Sequence, residues 1–283
     1  MATPAALEAV AALAGQLVER CPGRLVVLGI AGAQGSGKST VALGIEARMA
    51  AQGVPCALLS IDDIYLPLAR REALAAEVHS LLRTRGVPGT HDVALGLAVI
   101  DALARGEPAA LPRFDKARDD RSPETEWPRA PEATQLLILE GWCVGARPQG
   151  EAELAAPVNR LEVEEDADGR WRRYVNAALA GDYQALFARI DSLAFLAAPN
   201  FAVVERWRGE QEAALRRQSG DGAGVMDAAQ LSRFIQHYER ITRHMLEEMP
   251  ARAVVVVRLR EDRSVSGIAD RGCQDRVPTD PQQ

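Results

Sequence analysis

Five short runs dominated by apolar residues punctuate this chain, and none of them alternates between apolar and polar positions. They cover residues 25–31, 57–61, 136–139, 193–197 and 253–259. A strand that is apolar on both sides is typical of a parallel sheet buried between two layers of helices. Because helical stretches separate the runs, the pattern predicts an α/β fold with a five-stranded, mainly parallel sheet and helices on both faces.

Helical periodicity is clearest near the two ends of the chain. Residues 2–20 place apolar side chains at helical spacing, which predicts an amphipathic helix packed on the domain. Residues 226–249 carry a second apolar stripe, which begins near Asp227 and stops before Pro250. Both stripes predict helices that cover the sheet.

Three segments depart from this rhythm. Residues 106–134 are rich in proline and charge without an apolar period, and a loop of this length inside a compact domain is usually functional or disordered. Residues 145–157 lead into an added helical or lid region, expected at about 150–220. Residues 261–283 are polar and aperiodic, so we predict a loose tail after a single domain that spans 1–260.

Composition argues against several classes of protein. The net charge of −6 disfavours a partner such as nucleic acid or an anionic membrane surface. The sequence contains no run of 18 apolar residues, so no membrane-spanning helix is predicted. The cysteines have no paired spacing, which indicates free thiols in a reducing cytosol rather than zinc or disulfides; they are Cys21, Cys56, Cys143 and Cys273. We therefore predict a cytoplasmic protein, with its oligomeric state open.

A glycine-rich segment follows the first apolar run and precedes a helical stretch. Its sequence GAQGSGKS fits the Walker A pattern G-x-x-x-x-G-K-[ST], in which backbone N–H groups and a lysine bind phosphates and a hydroxyl binds Mg²⁺. The strand–loop–helix context predicts a P-loop NTPase fold that uses ATP and Mg²⁺. The predicted phosphate-binding residues are Gly32, Ala33, Gln34, Gly35, Ser36, Gly37, Lys38, Ser39 and Thr40, with Ser39 also on the metal.

Carboxylates end two further strands. Asp62 and Asp63 follow the second run, where ligands of open parallel sheets bind. We predict that Asp62 accepts the proton of an attacking hydroxyl, with Lys38 as the second catalytic residue. Asp63 is interpreted as a cap of the following helix. Glu140 ends the run at 136–139 and is predicted to hold Mg²⁺, as in a Walker B arrangement with Glu in place of Asp.

Several longer motifs carry a family resemblance. The segment SIDDIY resembles that of the uridine kinase, phosphoribulokinase and pantothenate kinase group. More specifically, RGVPGTHD, LPRFDKARDDR and LILEGWCVG resemble the D-glycerate 3-kinase family over most of residues 25–259. Ala117 and Asp119 stand where that family's motifs have serine and glycine.

This resemblance implies an ATP-dependent kinase that converts D-glycerate to 3-phosphoglycerate. It assigns Lys38 and Ser39 to phosphate and Mg²⁺, Asp62 to the base and Glu140 to the E-G-W motif. An anionic sugar acid also needs a paired cation when it is buried, and arginine matches a carboxylate well. The predicted substrate-binding residues are Tyr65, Arg85, His91, Asp92, Arg113, Lys116 and Arg121.

Other readings remain open from the sequence. The acceptor could be a nucleoside, pantothenate or another sugar acid, and a P-loop also suits an ATP-binding switch protein without any acceptor. Arg206, Trp207 and Arg208 lie on a predicted helix from which an arginine could close over the phosphates. His79, His237 and His244 lack the spacing of metal ligands and are interpreted as structural.

Overall fold

The computed structural model describes residues 4–219 and 227–272. The helices in these ranges are α1 (Pro4–Arg20), α2 (Lys38–Ala51), α3 (Leu68–Glu77), α4 (Val93–Ala104), α5 (Glu151–Leu154), α6 (Arg160–Glu165), α7 (Arg170–Ala180), α8 (Asp182–Phe187), α9 (Ala202–Ser219) and α10 (Ala228–Glu248). The strands are β1 (Val26–Gly32), β2 (Cys56–Ser60), β3 (Phe114–Asp115), β4 (Asp120–Arg121), β5 (Leu136–Gly141), β6 (Ser192–Ala197), β7 (Val255–Leu259) and β8 (Val265–Asp270).

One sheet organises the molecule, with strand order β2–β5–β1–β6–β7–β8. The first five strands of this order pair in parallel, and they correspond to the five predicted apolar runs. The sixth, β8, pairs antiparallel with β7. The α/β architecture with a mainly parallel sheet is confirmed, with one strand more than predicted.

Two apolar clusters cover the two faces of the sheet. Alternate residues of β5 divide between them, since Leu137 and Leu139 join one cluster while Leu136 and Ile138 join the other. One cluster contains α1, α2 and Trp207 of α9, and the other contains side chains of α4, α7, α8 and α10. Both faces of each central strand are thus buried, which is why these strands read as apolar runs rather than alternating ones.

The predicted loose tail is wrong for the residues that the structure describes. Residues 265–270 form β8, whose side chains alternate between half-buried and exposed. This strand is held by backbone hydrogen bonds to β7 and needs no strong apolar pattern, so the sequence gives little sign of it. Residues 273–283 lie outside the described ranges.

The loop at 106–134 is ordered by backbone contacts. It contains the β3–β4 hairpin, in which Phe114 pairs with Arg121, and a bridge between Ala110 and Arg129. The region predicted as a helical insert at about 150–220 is interrupted by β6, a strand of the main sheet. The inserted helices are therefore α5 to α8, whereas α9 packs on the sheet.

Buried charged pairs fix the inserted helices to one another and to α10. Arg172 of α7 pairs with Asp166 at 2.9 Å, and Arg240 of α10 pairs with Glu162 of α6 at 2.6 Å. All four side chains are almost completely buried. Among the described helices, none combines the length and the apolar character that crossing a membrane requires.

Candidate active site

The sheet register brings the predicted catalytic segments to one edge. Glu140 of β5 lies opposite Ser60 of β2 on one side and Ile30 of β1 on the other. Because these three strands are parallel, their carboxyl ends meet at the same edge of the sheet. The glycine-rich loop after β1 and the aspartates after β2 therefore flank Glu140.

Residues 33–37 form the connection between β1 and α2. Gly35 and Gly37 adopt positive φ angles of 80° and 88°, a region that side chains other than glycine's rarely tolerate. A Cβ atom on Gly35 would lie 2.6 Å from Cβ of Trp207, so no side chain fits there. Because Gly37 has no side chain to cap α2, the first N–H groups of this helix are suited to bind an anion.

Lys38, Ser39 and Glu140 meet beside this loop. The Ser39 hydroxyl donates to Oε1 of Glu140 at 3.1 Å, and Nζ of Lys38 lies 4.0 Å from Oε2. Buried oxygens without a hydrogen-bond partner surround the same place; they are Oε1 of Gln34, Oγ of Ser36 and Oε2 of Glu140. Such oxygens fit a bound nucleotide and a hard cation better than they fit an isolated core.

This donor set is compatible with Mg²⁺. The ion binds oxygen ligands and usually keeps water and phosphate oxygens rather than a complete protein cage. Glu140 and Ser39 bring one carboxylate and one hydroxyl together, and their binding of Mg²⁺ stays a prediction. Within the described ranges, no cluster of three or more His, Cys, Asp or Glu residues could hold a metal without such outside ligands.

Asp62 lies in a short 3-10 turn after β2, with Ser60 as its N-cap. Its Oδ1 accepts from the Tyr65 hydroxyl and its Oδ2 from Nζ of Lys116, both at 2.7 Å. Burial raises the pKa of the Asp62 carboxyl, but the ammonium groups of Lys116 and Lys38 and the two hydrogen bonds outweigh that effect. The net pKa lies well below the ordinary value, so the carboxylate is ionised at neutral pH.

Asp63 has a different role from the predicted helix cap. α3 begins after Pro67 without a side-chain cap. The Asp63 carboxylate instead accepts from the Phe114 N–H at 3.4 Å and lies 3.5 Å from a guanidinium nitrogen of Arg113. It therefore ties the loop at 106–134 to the end of β2, which the sequence did not indicate.

An aromatic cluster surrounds Asp62. The Tyr65 ring lies 4.7 Å from the His91 ring and 5.2 Å from the Phe114 ring, between ring centres. Nδ1 of His91 faces the Tyr183 hydroxyl, and its buried Nε2 has no hydrogen-bond partner among the described residues. Burial lowers the pKa of His91 to about 3, so the imidazole is neutral and able to hydrogen-bond a hydroxyl.

Each cation predicted to bind the acceptor is paired with a carboxylate. Arg85 pairs with Asp119, and Arg113 pairs with Asp63. Lys116 pairs with Asp62, and Arg121 pairs with Asp92. The structure thus brings the predicted residues together around Asp62, but the cluster is nearly compensated in charge.

Asp92 supports the site through the fold. Its Oδ1 accepts from the Leu95 N–H as the N-cap of α4, and its Oδ2 accepts from Arg121 at 3.0 Å. Arg121 also donates to the backbone oxygen of Tyr65. Because both Asp92 oxygens are engaged, direct binding of substrate by this residue stays a prediction that the geometry does not favour.

Arg71 is a site residue that sequence reasoning missed. This fully buried side chain donates to the backbone oxygens of Leu66, Arg83 and Asp119. It also pairs with the Asp119 carboxylate at 3.0 Å. These bonds join three loops at the candidate acceptor site, and no local pattern distinguishes Arg71 from an exposed helical arginine.

Arg263 was missed as well, because it lies in the predicted tail. Its Nε donates to the backbone oxygen of Gly35 at 2.9 Å, and its guanidinium lies 5.2 Å from the Trp207 ring centre. Trp207 is fully buried beneath the phosphate loop, and Arg206 pairs with Glu261 at 3.0 Å. Arg206 and Trp207 therefore act as a structural support in this conformation. Arg208 stays a candidate lid residue.

We expect Arg263→Ala to weaken ATP binding because the Gly35 carbonyl loses its charged donor. The dissociation constant for ATP·Mg²⁺, measured by isothermal titration calorimetry, should rise roughly 10-fold, the scale of a hydrogen bond to a charged group. Arg260→Ala is the matched control, since Arg260 lies in the same turn and contacts Ser264 and Val265 instead. Equal dissociation constants for the two variants would contradict this role.

The remaining described histidines have structural partners. His79 caps the short turn that begins at Ser80 by accepting from the Leu81 N–H. His237 is buried, which lowers its pKa to about 4, and His244 lies 3.5 Å from Glu153. Their geometry supports the structural interpretation.

Two cavities lie apart from the phosphate loop. One of about 520 Å³ is lined by Ser192, Leu193 and Val254 at the amino edge of the sheet. A second of about 370 Å³ lies between α4 and α7 and includes His91 and Tyr183 in its wall. The residues around Asp62 lie instead at the carboxyl edge of the sheet, where open α/β folds bind ligands in a crevice.

The chain resembles known kinases over most of its length. The model of the phosphoribulokinase/uridine kinase family matches residues 27–146. The uncharacterized kinase mug58 of Schizosaccharomyces pombe is 35% identical over 231 residues, which are 76% of this chain and 79% of that protein. The chloroplastic D-glycerate 3-kinase of Arabidopsis thaliana is 27% identical over 223 residues, which are 75% of this chain but 46% of that longer protein.

A solved structure extends the likeness to the whole fold. The D-glycerate 3-kinase from Cryptococcus neoformans superimposes with a TM-score of 0.78 at 21% identity. The match covers 94% of this chain and 99% of that one. The P-loop α/β fold predicted from the sequence is therefore confirmed.

Proposed function

This chain belongs to the phosphoribulokinase/uridine kinase family and is a kinase, and we propose that it transfers the γ-phosphoryl group of ATP to a small anionic hydroxy acid, with D-glycerate as the leading acceptor. The observation that carries the proposal is the arrangement of Asp62 beside Lys38 and a cluster of cations. The positive charges of Lys38 and Lys116 both lower the pKa of Asp62. A base next to the phosphate loop, with cationic side chains close to it, is what an acid-specific kinase needs.

The proposed reaction assigns a role to each side chain. Asp62 accepts the proton of the acceptor hydroxyl while the oxygen of that hydroxyl bonds to the γ-phosphorus. The bond between that phosphorus and the β–γ bridging oxygen breaks, and ADP leaves. Lys38 balances the charge on the transferred group. Glu140 and Ser39 would hold Mg²⁺, which would supply further charge stabilisation.

Relatives support D-glycerate as the first acceptor to test. The names of the Arabidopsis and Cryptococcus proteins state that they phosphorylate D-glycerate. Both are under 30% identical to this chain, so a nucleoside, pantothenate or another sugar acid remains an alternative.

The described cysteines Cys21, Cys56 and Cys143 are free thiols, which supports the predicted cytosolic location.

Release of ADP across a panel of acceptors tests this proposal. With saturating ATP·Mg²⁺, we expect turnover with D-glycerate well above the acceptor-free rate, and product analysis should find 3-phosphoglycerate. L-glycerate tests stereochemistry, and uridine, pantothenate and ribulose 5-phosphate represent other acceptors. Turnover with uridine or pantothenate alone would refute the hydroxy-acid proposal while leaving the kinase intact.

A further inference from the structure

Lys116 differs from the other cations around Asp62. Its side chain is 58% exposed, compared with 19% for Arg121 and 26% for Arg85. Its ammonium group donates to Asp62 alone among the described residues, whereas Arg121 also donates to a backbone oxygen. Of these cations, Lys116 therefore has the least to lose by leaving its present partner.

Asp62 has both oxygens occupied in this conformation. The hydroxyl of Tyr65 bonds Oδ1, and Nζ of Lys116 bonds Oδ2. Tyr65 is buried and packed between His91 and Phe114, so its hydroxyl has little freedom to move. Each carboxylate oxygen offers about two lone-pair sites, so Oδ2 keeps one beside Lys116; withdrawal of the lysine frees the second and removes the ammonium charge that weakens this oxygen as a base.

We propose that Lys116 exchanges between two carboxylates, covering Asp62 when the acceptor site is empty and binding the acid group of the acceptor when it enters. This inference rests on the proposed function, because it requires an anionic acceptor. It makes Lys116 a residue that selects for acids and at the same time uncovers the base.

The hairpin around Lys116 suits a movement of the side chain alone. Oδ1 of Asp115 accepts from the N–H groups of Ala117 and Arg118, which fixes the turn. On its other side, Asp119 is held by Arg71. The backbone is therefore anchored, while the flexible four-carbon lysine stem allows its ammonium group to reach a second partner.

The exchange also explains how one charge could serve two purposes. While Lys116 covers Asp62, the ammonium keeps the carboxylate weakly basic, so water in the empty site is poorly activated. When the ammonium moves to the acceptor, the pKa of Asp62 rises toward its ordinary value and the carboxylate becomes a better base. A neutral acceptor offers no carboxylate to draw the lysine away.

Lys116→Met tests the proposal because it predicts two effects of opposite direction. The KM for D-glycerate should rise roughly 10-fold or more, the scale expected for losing a charged hydrogen bond. Acceptor-free ADP release should increase on the order of 10-fold, since the base is no longer covered. The KM for ATP should stay within about 2-fold, because Lys116 makes no contact with the phosphate loop.

Arg118→Met is the matched control. Arg118 lies two residues further along the same turn, is 73% exposed, and pairs with Asp115 at 3.3 Å. We expect Arg118→Met to leave both the KM for D-glycerate and the rate of acceptor-free ADP release close to those of the unaltered protein. Lys116→Arg should retain part of the affinity for D-glycerate, because it keeps a cation at the same place.

The outcomes separate this inference from the proposed function. If the unaltered protein phosphorylates D-glycerate but Lys116→Met changes neither KM nor acceptor-free ADP release, the exchange is refuted and the proposed function stands. If no acid is phosphorylated, the proposed function fails and the exchange fails with it. A fall in acceptor-free ADP release in Lys116→Met would also overturn the covering role, whatever the acceptor.

Discussion

Asp62→Asn is expected to lower kcat for phosphorylation of the acceptor by roughly 10²- to 10⁴-fold, the range that a general base contributes. The asparagine keeps the size of the side chain but has no oxygen able to take the proton at neutral pH. Because the pKa of Asp62 lies below its ordinary value, the carboxylate is ionised from about pH 6 to about pH 8. The ratio of kcat between the unaltered protein and Asp62→Asn should therefore stay constant across that pH range, as measured in a rate assay.

Asp63→Asn provides the control for this change. The two aspartates are adjacent, but Asp63 bonds Arg113 and the Phe114 N–H of the loop at 106–134, whereas the base bonds Tyr65 and Lys116. We expect a modest rise in the KM for the acceptor and a much smaller change in kcat. If Asp62→Asn retained full kcat, proton transfer would have to go elsewhere and the assignment of the base would be wrong. Loss of ATP binding in Asp62→Asn would instead indicate a structural role.

The framework of the site was predictable from the sequence because it depends on local patterns. The apolar runs fixed the strands, since both of their faces are buried. The glycine-rich loop identified itself through positive φ positions that demand glycine, such as Gly35 and Gly37. Asp62 and Glu140 were predictable because each follows or ends a strand, and parallel strands end at one edge.

The partners of these residues were not predictable, because they come from distant segments of the chain. Asp62 meets Lys116 across 54 positions, and Gly35 meets Arg263 across 228. Asp63 was misassigned as a helix cap for the same reason, since its true partners lie on the loop at 106–134. Pairing of opposite charges depends on tertiary geometry, and sequence alone gives the charges without their neighbours.

Strand β8 was not predicted from the sequence for a different reason. It lies at an edge of the sheet and buries only part of one side, so hydrophobic periodicity is weak. Ile268 even points its side chain outward, 42% exposed. Backbone pairing with β7 holds the strand, and such pairing is independent of side-chain identity. The turn before it nevertheless carries Arg263 to the phosphate loop.

Lys38→Met should reduce ADP release on the order of 10³-fold, with or without acceptor, a loss at the upper end of that seen when one charged or polar stabiliser of a transition state is removed. The ammonium group of Lys38 lies at the start of α2, 16% exposed and 4.0 Å from Glu140. Methionine keeps most of the side-chain length while removing the charge. We expect ATP·Mg²⁺ binding, measured by calorimetry, to weaken much less than kcat falls, because the backbone N–H groups of the loop remain.

The comparison of Lys38→Met with Lys116→Met makes this expectation specific. Both lysines lie near Asp62 and both lower its pKa. If they acted only through the charge of Asp62, their removal would change acceptor-free ADP release in the same direction. We expect opposite directions, a near-complete loss for Lys38→Met and an increase for Lys116→Met, because one lysine stabilises the transferred phosphoryl group and the other covers the base. A similar loss in both variants would mean that the two lysines share a role in binding phosphate.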